Sequence, residues 1–388
     1  MEIQYKDSGI EWIGRIPKDW KTCKLKRLLT FQNGQDYKHV ESDIGYPVYG
    51  SGGVFMHASQ YLYDGEAVLF GRKGTIDRPL YVNEKFWTVD TMYYAIPVNN
   101  AFGKYLYYLA TLLPFNKYQT STALPSMTQS ILGNMTVAYP SHSVQHRIAE
   151  YLDEKCGEID GLIALQEQMI AHLTNYKQSV ISEAVTKGLN PDAQLVPSGI
   201  DWIGVIPNGW KMIRLKYLCT IQTGNQDTQD AEPAGEYPFY VRSPIVERSN
   251  KYSFEGEGIL MAGDGAGAGR VFHHVFGKYA VHQRVYRLAN IKGIDSYFLF
   301  YFLSSLFCKE MDRGSAQSTV PSVRLPMLQN FNIIIPSIEE QRAIVNYLDT
   351  KCGEIERLIE TKRQKIETLK EYKKSVIYEA VTGKTIIQ

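Results

Sequence analysis

The sequence predicts an α+β protein with a pseudo-twofold internal repeat, in which two β-rich domains are separated by two long antiparallel helices of the coiled-coil type. Three observations predict this fold. A module of about 190 residues occurs twice in the chain of 388 residues. The middle of each copy is rich in β-forming and turn-forming residues. The end of each copy runs for about 40 residues with helical periodicity and without proline.

The internal repeat is carried by segments at the two ends of each module. Its three clearest pairs are SGIEWIGRIP at 8–17 with SGIDWIGVIP at 198–207, YLDEKCGEI at 151–159 with YLDTKCGEI at 347–355, and SVISEAVT at 179–186 with SVIYEAVT at 375–382. Between these ends the copies diverge, from about 35 to 137 and from about 225 to 333. They share only short anchors there, Tyr46-Pro47 with Tyr237-Pro238 and Gly65-Glu66 with Gly256-Glu257. The module therefore has a constant frame and a variable middle.

Each variable middle is predicted to be a compact β-rich domain. Runs of Val, Ile, Tyr and Phe alternate there with Gly-rich and Asn-Gly turns, which is typical of short strands. One aromatic-rich segment in each middle, 104–110 and 297–303, predicts a helix packed into the core. A chain of this length is expected to form two or three domains, since a domain has roughly 100 to 200 residues.

The segments after Pro140 and Pro336 predict long helices that pack together. A helix of this length cannot bury an apolar stripe alone, so the two stripes should meet in a coiled coil, antiparallel because a whole domain intervenes. The predicted stripe of the first helix is Ile159, Leu162, Gln166, Met169, Leu173, Tyr176 and Val180. That of the second is Ile355, Ile359, Lys362, Ile366, Leu369 and Val376. The predicted boundaries are 1–143 for the first domain, 144–186 for the first helix, 187–197 for a linker, 198–338 for the second domain and 339–382 for the second helix.

Composition and charge exclude several classes of protein. With 44% hydrophobic and 21% charged residues, the chain is expected to be globular rather than disordered. No apolar run approaches the roughly 18 residues that span a bilayer, and the first residues lack the order of a signal peptide, so a cytoplasmic location is expected. The five scattered cysteines predict reduced thiols. A net charge of +1 neither requires nor excludes a nucleic-acid partner.

The repeated motifs resemble those of the specificity subunits of Type I restriction–modification enzymes. The resemblance rests on the Gly-x-x-Trp-Ile-Gly-x-Ile-Pro-x-x-Trp openings at Gly9 and Gly199. It also rests on a glutamine shortly after the proline that precedes each long helix, and on a Glu-Ala-Val-Thr ending. The glutamines are Gln145 and Gln341, and the endings begin at Glu183 and Glu379.

The resemblance implies a non-catalytic, sequence-specific DNA-binding subunit with two target-recognition domains. Each domain would read one half of a split, non-palindromic site in double-stranded DNA, and the repeated helices would dock two methyltransferase subunits for adenine methylation. Restriction subunits would join the full complex for ATP-dependent cleavage. S-adenosylmethionine, ATP and Mg²⁺ are then expected only in these partner subunits, and no cofactor is expected in this chain.

A two-headed structural adaptor, whose β-rich domains bind proteins, is the alternative function. The two hypotheses differ in their dependence on DNA. A duplex affinity that falls steeply with salt concentration and changes with base sequence would argue against the adaptor.

Three fragments imitate catalytic signatures, but none is predicted to be a catalytic, cofactor-binding or metal-binding site. The glycine-rich segment 263–269 is followed by a strand-like sequence, where a phosphate-binding loop needs a helix. Gly383-Lys384-Thr385 lacks the earlier glycine of a P-loop. His273 and His274 would point to opposite faces of a strand, so one metal ion could not easily bind both. We expect the glycine-rich segment, like its counterpart 71–75, to be a turn that brings backbone close to DNA.

Polar side chains on loops of the two middles are the predicted DNA contacts, because such groups can pair with phosphates and base edges. In the first middle they are Arg72, Lys73, Thr75, Arg78, Gln119, Ser121 and Thr122. In the second they are Arg270, Arg313, Ser315, Gln317 and Ser318. Both polar runs lead into Pro-Ser, at Pro125-Ser126 and Pro321-Ser322, which predicts one shared loop with different residues. Plain polar surface is the alternative at every one of these positions.

Overall fold

The computed structural model describes residues 4–118, 125–314 and 321–387, which belong to two compact units. The first unit consists of Met1–Glu167 together with Gln364–Gln388, and the second of Gln168–Arg363. Each unit therefore contains one β-rich domain and a part of each long helix. The first unit is discontinuous in sequence, whereas the second is a single stretch of chain.

The β-rich domain of the first unit is built on a seven-stranded sheet. The strands are β1 Tyr5–Asp7, β2 Arg15–Pro17, β3 Lys21–Lys24, β4 Leu29–Asn33, β5 Glu41–Ser42, β6 Tyr46–Gly50, β7 Gly53–Ala58, β8 Tyr63–Gly71, β9 Leu80–Thr88, β10 Met92–Pro97 and β11 Thr136–Tyr139. The helices are α1 Gly103–Ala110, α2 Phe115–Tyr118, α3 Gln129–Asn134 and α4 His142–Lys187. The large sheet has the order β4-β10-β8-β9-β6-β7-β5, and the pairs β1-β2 and β3-β11 complete the frame.

The second β-rich domain repeats this plan with two four-stranded sheets. Its strands are β12 Leu195–Pro197, β13 Val205–Pro207, β14 Lys211–Arg214, β15 Thr220–Thr223, β16 Tyr237–Tyr240, β17 Val246–Ser249, β18 Phe254–Glu255, β19 Gly258–Ala262, β20 Phe272–Val275, β21 Lys278–Val281, β22 Val285–Ala289 and β23 Asn332–Ile335. The helices are α5 Ser296–Gly314, α6 Leu325–Asn330 and α7 Ile338–Val381. The sheets have the orders β15-β22-β19-β20 and β17-β16-β21-β18, with β12-β13 and β14-β23 as the frame pairs.

Two strands of the first sheet are divided in the second domain. The counterpart of β8 is divided into β18 and β19, between which Gly256 has a φ of 97°, and the counterpart of β9 is divided in the same way. β9 is continuous and pairs antiparallel with β8 and parallel with β6. Its counterpart is divided into β20, which pairs with β19, and β21, which pairs in parallel with β16. The division falls at Phe276-Gly277, where Gly277 has a φ of 78°. A left-handed residue cannot continue an extended strand, so the single sheet of the first domain becomes two sheets in the second.

Helices α1 and α5 are the aromatic core helices of their domains. Tyr105 of α1 is fully buried in the same core as Phe70 of β8. Phe298 and Phe302 of α5 are fully buried in the main core of the second unit. The prediction of one core helix in each variable middle is confirmed.

One buried glutamine ties each core helix to the start of the long helix that follows. The Gln145 side chain, 2% exposed, accepts a hydrogen bond from the Phe102 N–H at the start of α1 (2.9 Å). Gln341, 1% exposed, accepts one from the Asp295 N–H at the start of α5 (2.7 Å). Each amide nitrogen also donates to the carbonyl of the proline that precedes its long helix, at 3.0 Å. We call this pair of bonds the glutamine clamp, and it explains why both modules carry glutamine here.

The shared Gly-Glu anchors fix the same core helices to the sheet. Glu66 of β8 accepts a hydrogen bond from the backbone N–H of Lys104 in α1 at 3.2 Å. Glu257, which precedes β19, accepts one from the Ser296 hydroxyl at the start of α5. Each core helix is therefore held at its first turn by a clamp on one side and by a carboxylate of the sheet on the other.

The two long helices run antiparallel within each unit, as predicted. In the first unit, one core contains Ile148 from the beginning of α4 and Val381 from the end of α7. In the second unit, one core contains Val185 from the end of α4 and Ile344 from the beginning of α7. An ion pair joins the helices in each unit, Lys373 with Asp160 at 2.6 Å and Lys177 with Glu356.

The predicted apolar stripe of α4 is wrong at three positions. Leu162, Met169 and Tyr176 are 46%, 40% and 57% exposed. From Cys156 to Val180, the buried and half-buried positions of α4 are Cys156, Ile159, Ile163, Gln166, Ile170, Leu173, Lys177 and Val180. These keep a heptad spacing of four and three. The prediction chose the wrong residue at the first two positions because Leu162 and Ile163 are both apolar, as are Met169 and Ile170. Lys177 fits at a half-buried position because its aliphatic stem packs while its ammonium pairs with Glu356. In α7, Ile355, Ile359 and Ile366 are buried as predicted.

Membrane insertion has no candidate segment among the described residues. Neither α4 nor α7, nor any other helix in those ranges, combines the length and the apolar run that a bilayer crossing requires.

Removing the glutamine clamp is expected to destabilise the unit that contains it. Gln341→Ala should lower the free energy of unfolding of the second unit by about 1–3 kcal/mol, because the Asp295 N–H loses its partner in a largely buried place. Gln145→Ala should act likewise in the first unit. Denaturant unfolding, followed by hydrogen–deuterium exchange of peptides from each unit, measures both losses. Gln168→Ala at an exposed position of α4 is the matched control, with an expected change below about 0.5 kcal/mol. Equal losses in variant and control would contradict the clamp.

Candidate nucleic-acid interface

In the first domain, the glycine turn after β8 lies against the Pro-Ser segment before α3. Lys73 forms an isolated antiparallel bridge with Ser126, and the Met127 N–H donates to the Arg72 carbonyl at 3.0 Å. A Cβ at Gly71 would lie 2.0 Å from a carbonyl oxygen of the same turn, so only glycine fits there. The glycine turn and the Pro-Ser segment that follows the first polar run are thus held together by backbone contacts.

The second domain has the same arrangement with different side chains. Asp264 forms the isolated bridge with Ser322, and the Val323 N–H donates to the Gly263 carbonyl at 2.7 Å. The predicted correspondence of the two Pro-Ser segments is confirmed. We call these places the bridged sites: residues 71–75 with 125–127 in the first domain, and 263–269 with 321–323 in the second.

Four of the predicted DNA contacts lie on or just after the first glycine turn. They are Arg72, Lys73, Thr75 and Arg78, all exposed except the half-buried Thr75. The Arg72 guanidinium carbon lies 5.9 Å from the centre of the Tyr93 ring, which holds this side chain over the sheet. The bridged site of the first domain therefore presents two cationic side chains to solvent.

The predicted contacts of the second domain are more dispersed. Arg270 is exposed at the end of the glycine-rich turn. This turn packs on α5, since a Cβ at Gly269 would lie 3.0 Å from side-chain atoms of Phe307 and Met311. Arg313 belongs to the last residues of α5. The other candidates lie outside the described residues: Gln119, Ser121, Thr122, Ser315, Gln317 and Ser318. Contact with DNA stays a prediction for all twelve residues.

The two fragments in this region that imitate other chemistry have structural roles. Strand β20 follows segment 263–269, as predicted, so no helix is present there to bind a phosphate. On that strand, the His273 ring packs 5.0 Å from Tyr240, whereas the His274 ring packs 5.7 Å from Phe300 and its Nε2 lies 2.9 Å from a Glu257 carboxylate oxygen. The two imidazoles have separate surroundings, which agrees with the prediction for adjacent strand residues.

Two arginines that were not predicted from the sequence meet beside the second bridged site. Arg242 Nη1 lies 3.2 Å from Asp264 Oδ1, and Arg284 Nη1 lies 3.5 Å from Asp264 Oδ2. The Asp264 side chain is 20% exposed, and those of the arginines are 45% and 64% exposed. The available signal was the shared Tyr-Pro anchor, which fixes the place of Arg242 in its module although the residues around it differ.

A buried histidine holds the backbone of one of these arginines. His282 is 3% exposed, and its Nδ1 accepts a hydrogen bond from the Arg284 backbone N–H at 2.9 Å. Burial lowers the pKa of His282 below its ordinary value of 6.5, and the neighbouring Arg242 lowers the pKa further. His282 is therefore neutral near pH 7, and only the neutral ring can accept at Nδ1.

Comparison with known sequences places these features in a family. The family described as Type I restriction modification DNA specificity domain matches residues 17–175 and again residues 207–370. The chain belongs to this family. It is a Type I restriction–modification specificity subunit with two DNA-recognition domains, one for each match.

Individual relatives agree with this assignment over different lengths. The EcoDI specificity subunit of Escherichia coli is 29% identical over 180 residues, which are 46% of this chain and 39% of the relative. The MjaVIII specificity subunit of Methanocaldococcus jannaschii is 26% identical over an alignment of 416 positions, covering 95% of this chain and 94% of the relative. A solved chain described in work on assembly and conformational transition of the type I R-M system has a TM-score of 0.69 at 16% identity, covering 95% of this chain and 99% of that chain. This last likeness shows a shared fold.

The second recognition domain is expected to lose stability in mild acid. The folded pKa of His282 is depressed, so as pH falls the unfolded chain takes up this proton first. The stabilisation is complete above about pH 6.5 and is lost as pH falls toward the folded pKa. Hydrogen–deuterium exchange of peptides from β21 and β22, at about pH 7.5 and about pH 5.5 with intrinsic rates corrected, measures the loss.

Two variants assign this effect to one residue. His282→Gln should weaken the pH dependence, because the amide cannot titrate. His57→Gln, at an exposed position of the first domain, should leave it unchanged. The same acid sensitivity in His282→Gln as in the unaltered chain would show that another group is responsible.

Proposed function

We propose that this chain reads a bipartite, non-palindromic site in double-stranded DNA, one half with each recognition domain, as part of a Type I restriction–modification complex. The observation that carries the proposal is the pair of bridged sites. The same backbone contacts recur in both domains, but the bridged residue is Lys73 in one and Asp264 in the other. The backbone geometry is the same in both domains, whereas the side chains of the bridged residues have opposite charges. The two domains are therefore suited to binding two different base sequences in the same geometry.

We infer two identical partners from the long helices, whose sequences are more similar between the two modules than the sequences of the domains are. Leu162 of α4 and Leu358 of α7 are equivalent in the repeat and are 46% and 50% exposed. Tyr176 and Tyr372 are likewise equivalent and are 57% and 58% exposed. Each unit thus presents one such leucine and one such tyrosine. A duplicated apolar surface can bind the same partner twice, and we assign it to two methyltransferase subunits.

Catalysis is assigned to the partner subunits. In our proposal the methyltransferase subunits bind S-adenosylmethionine and methylate adenine, and restriction subunits use ATP and Mg²⁺ for cleavage. The role of this chain is to choose the DNA. The glycine-rich segment 263–269, which imitates a phosphate-binding loop, has another task that supports this division, because it packs on α5.

The methylated sequence in a host is the direct test of the reading function. Expression of this chain with its cognate methyltransferase subunit should give adenine methylation at one split motif, with two unlike halves and a fixed unread gap. Long-read sequencing that detects methyladenine measures the motif. Expression of the methyltransferase subunit alone should leave that motif unmethylated. A continuous or palindromic motif would contradict two-domain reading.

The number of docked methyltransferase subunits tests the duplicated helix surface. Leu162→Asp and Leu358→Asp should each remove one of two copies, and the double variant should remove both, because a buried unpaired carboxylate opposes docking. Native mass spectrometry of the reconstituted complex measures the stoichiometry. Val54→Asp, which alters an apolar side chain of similar exposure (48%) on β7 of the first domain, is the control and should keep both copies. Loss of both copies in either single variant would contradict two independent equivalent sites.

A further inference from the structure

Ser51 and Arg242 occupy equivalent positions in the two recognition domains. The parallel ladder between β6 and β9 ends at Tyr49, and the one between β16 and β21 ends at Tyr240. Ser51 and Arg242 each lie two residues beyond this end. The comparison depends on backbone pairing alone, and the surrounding sequences of the two loops are unlike.

Two further pairs of positions are equivalent by their hydrogen bonds. The Arg72 N–H donates to the Thr91 carbonyl at 2.8 Å, and the Gly263 N–H donates to the Arg284 carbonyl at 2.8 Å. The residue after each donor forms the isolated bridge of its domain. The equivalent positions are therefore Thr91 with Arg284 and Lys73 with Asp264.

These three positions define a reading triad in each domain. In the first it is Ser51, Lys73 and Thr91, and in the second it is Arg242, Asp264 and Arg284. Both triads have a formal charge of +1, but the first consists of one ammonium and two hydroxyls, whereas the second consists of two guanidinium groups around one carboxylate. The frame thus holds two different sets of donors and acceptors at the same place.

The second triad is positioned by its carboxylate. One oxygen of Asp264 contacts Arg242 and the other contacts Arg284, so a single side chain orients two cations. Within the described segments, Asp264 is the charged partner of both arginines. A guanidinium has five N–H donors, so each arginine keeps donors that face solvent.

The backbone beneath the second triad is also fixed. A Cβ at Gly267 would lie 2.2 Å from the Arg242 carbonyl oxygen, so the glycine-rich turn and the loop after β16 touch. The Arg284 N–H is held by buried His282. Side chains that extend from a fixed backbone lose little entropy on binding, which favours recognition of a specific ligand.

We propose that Arg242 and Arg284, positioned by Asp264, recognise guanine in the half-site of the second recognition domain. This inference rests on the proposed function. Guanine presents O6 and N7 together in the major groove, and the planar fork of arginine matches that pair of acceptors. Asp264 is a positioning residue. The first domain, whose triad has Lys73 and two hydroxyl side chains, recognises its half-site with different chemistry.

Selection from a randomised duplex library by the full-length chain tests the proposal. The unaltered chain should enrich a motif with two separated halves. Arg242→Lys and Arg284→Lys should each reduce the preference for guanine at one position of one half by about tenfold or more, because lysine keeps the charge but not the fork. The other half should not change. Lys278→Ala, at the opposite end of β21 from the triad, is the control and should reproduce the unaltered motif.

The Asp264→Asn variant distinguishes a positioning role of this carboxylate from a role in folding. Loss of the carboxylate should weaken guanine preference at both positions while the affinity for unrelated duplex stays the same or rises, since one negative charge near DNA is removed. A merely structural residue would lower both affinities together. Hydrogen–deuterium exchange of β19 to β22 establishes that the variant is folded.

Three outcomes would overturn the proposal, and they are distinguishable. If both lysine variants enrich the unaltered motif, and Arg242→Gln lowers the affinity for all duplexes equally, the arginines contact phosphate instead of bases. If no triad variant differs from Lys278→Ala, the triad does not contact DNA, while two-domain reading stands. If the unaltered chain enriches no motif at all, the proposed function itself fails.

Discussion

A buried amide side chain joins each recognition domain to its long helix, and the positions of the bridged sites follow from that contact. Gln145 holds the start of α1, and Glu66 holds the same turn of α1 to strand β8. The first glycine turn begins at the last residue of β8. In the first unit, hydrogen bonds therefore join α4 to the start of α1 and α1 to β8, and the chain of β8 leads on to Lys73. Gln341 and Glu257 make the equivalent hydrogen bonds in the second unit.

In our proposal, stability and specificity are carried by different atoms of this fold. The frame is held by backbone hydrogen bonds, by the clamps and by buried aromatic side chains. These contacts do not depend on which side chains occupy the bridged sites. Lys73 and Asp264 can therefore differ in charge although their backbones form the same bridge. Such an arrangement allows the side chains at the bridged sites to vary without a large cost in folding free energy.

The sequence was sufficient to predict the parts of the fold that depend on repetition and periodicity. The duplicated frame, the core helices and the antiparallel pairing within each unit follow from patterns that a single chain displays. The stripe of α4 was partly wrong because Leu162 and Ile163 are both apolar, and only the packing of preceding turns selects Ile163. In the same way, no local sequence pattern indicates that Gly277 divides one long strand into two.

The candidate site could be predicted only in part. Lys73 was expected to contact DNA, but its bridge with Ser126 depends on a contact between segments more than fifty residues apart in the sequence. Arg242 and Arg284 were missed because they become neighbours only through Asp264, across three separate loops. Long-range juxtaposition of this kind has no signature in the spacing of residues along a chain.

The discontinuity of the first unit determines the order in which the chain can mature on the ribosome. Residues 168–363 precede in sequence the part of α7, from Gln364 onward, that belongs to the first unit, so the second unit has all its parts before the first unit does. The first core, by contrast, lacks Ile377, Ala380 and Val381 until this last part of α7 has been synthesised, and the buried Tyr105 hydroxyl donates to the carbonyl of Val381 itself. The first domain can thus be completed only after the second unit has been synthesised, and a truncation that removes residues 377–381 would remove part of the core of the first domain.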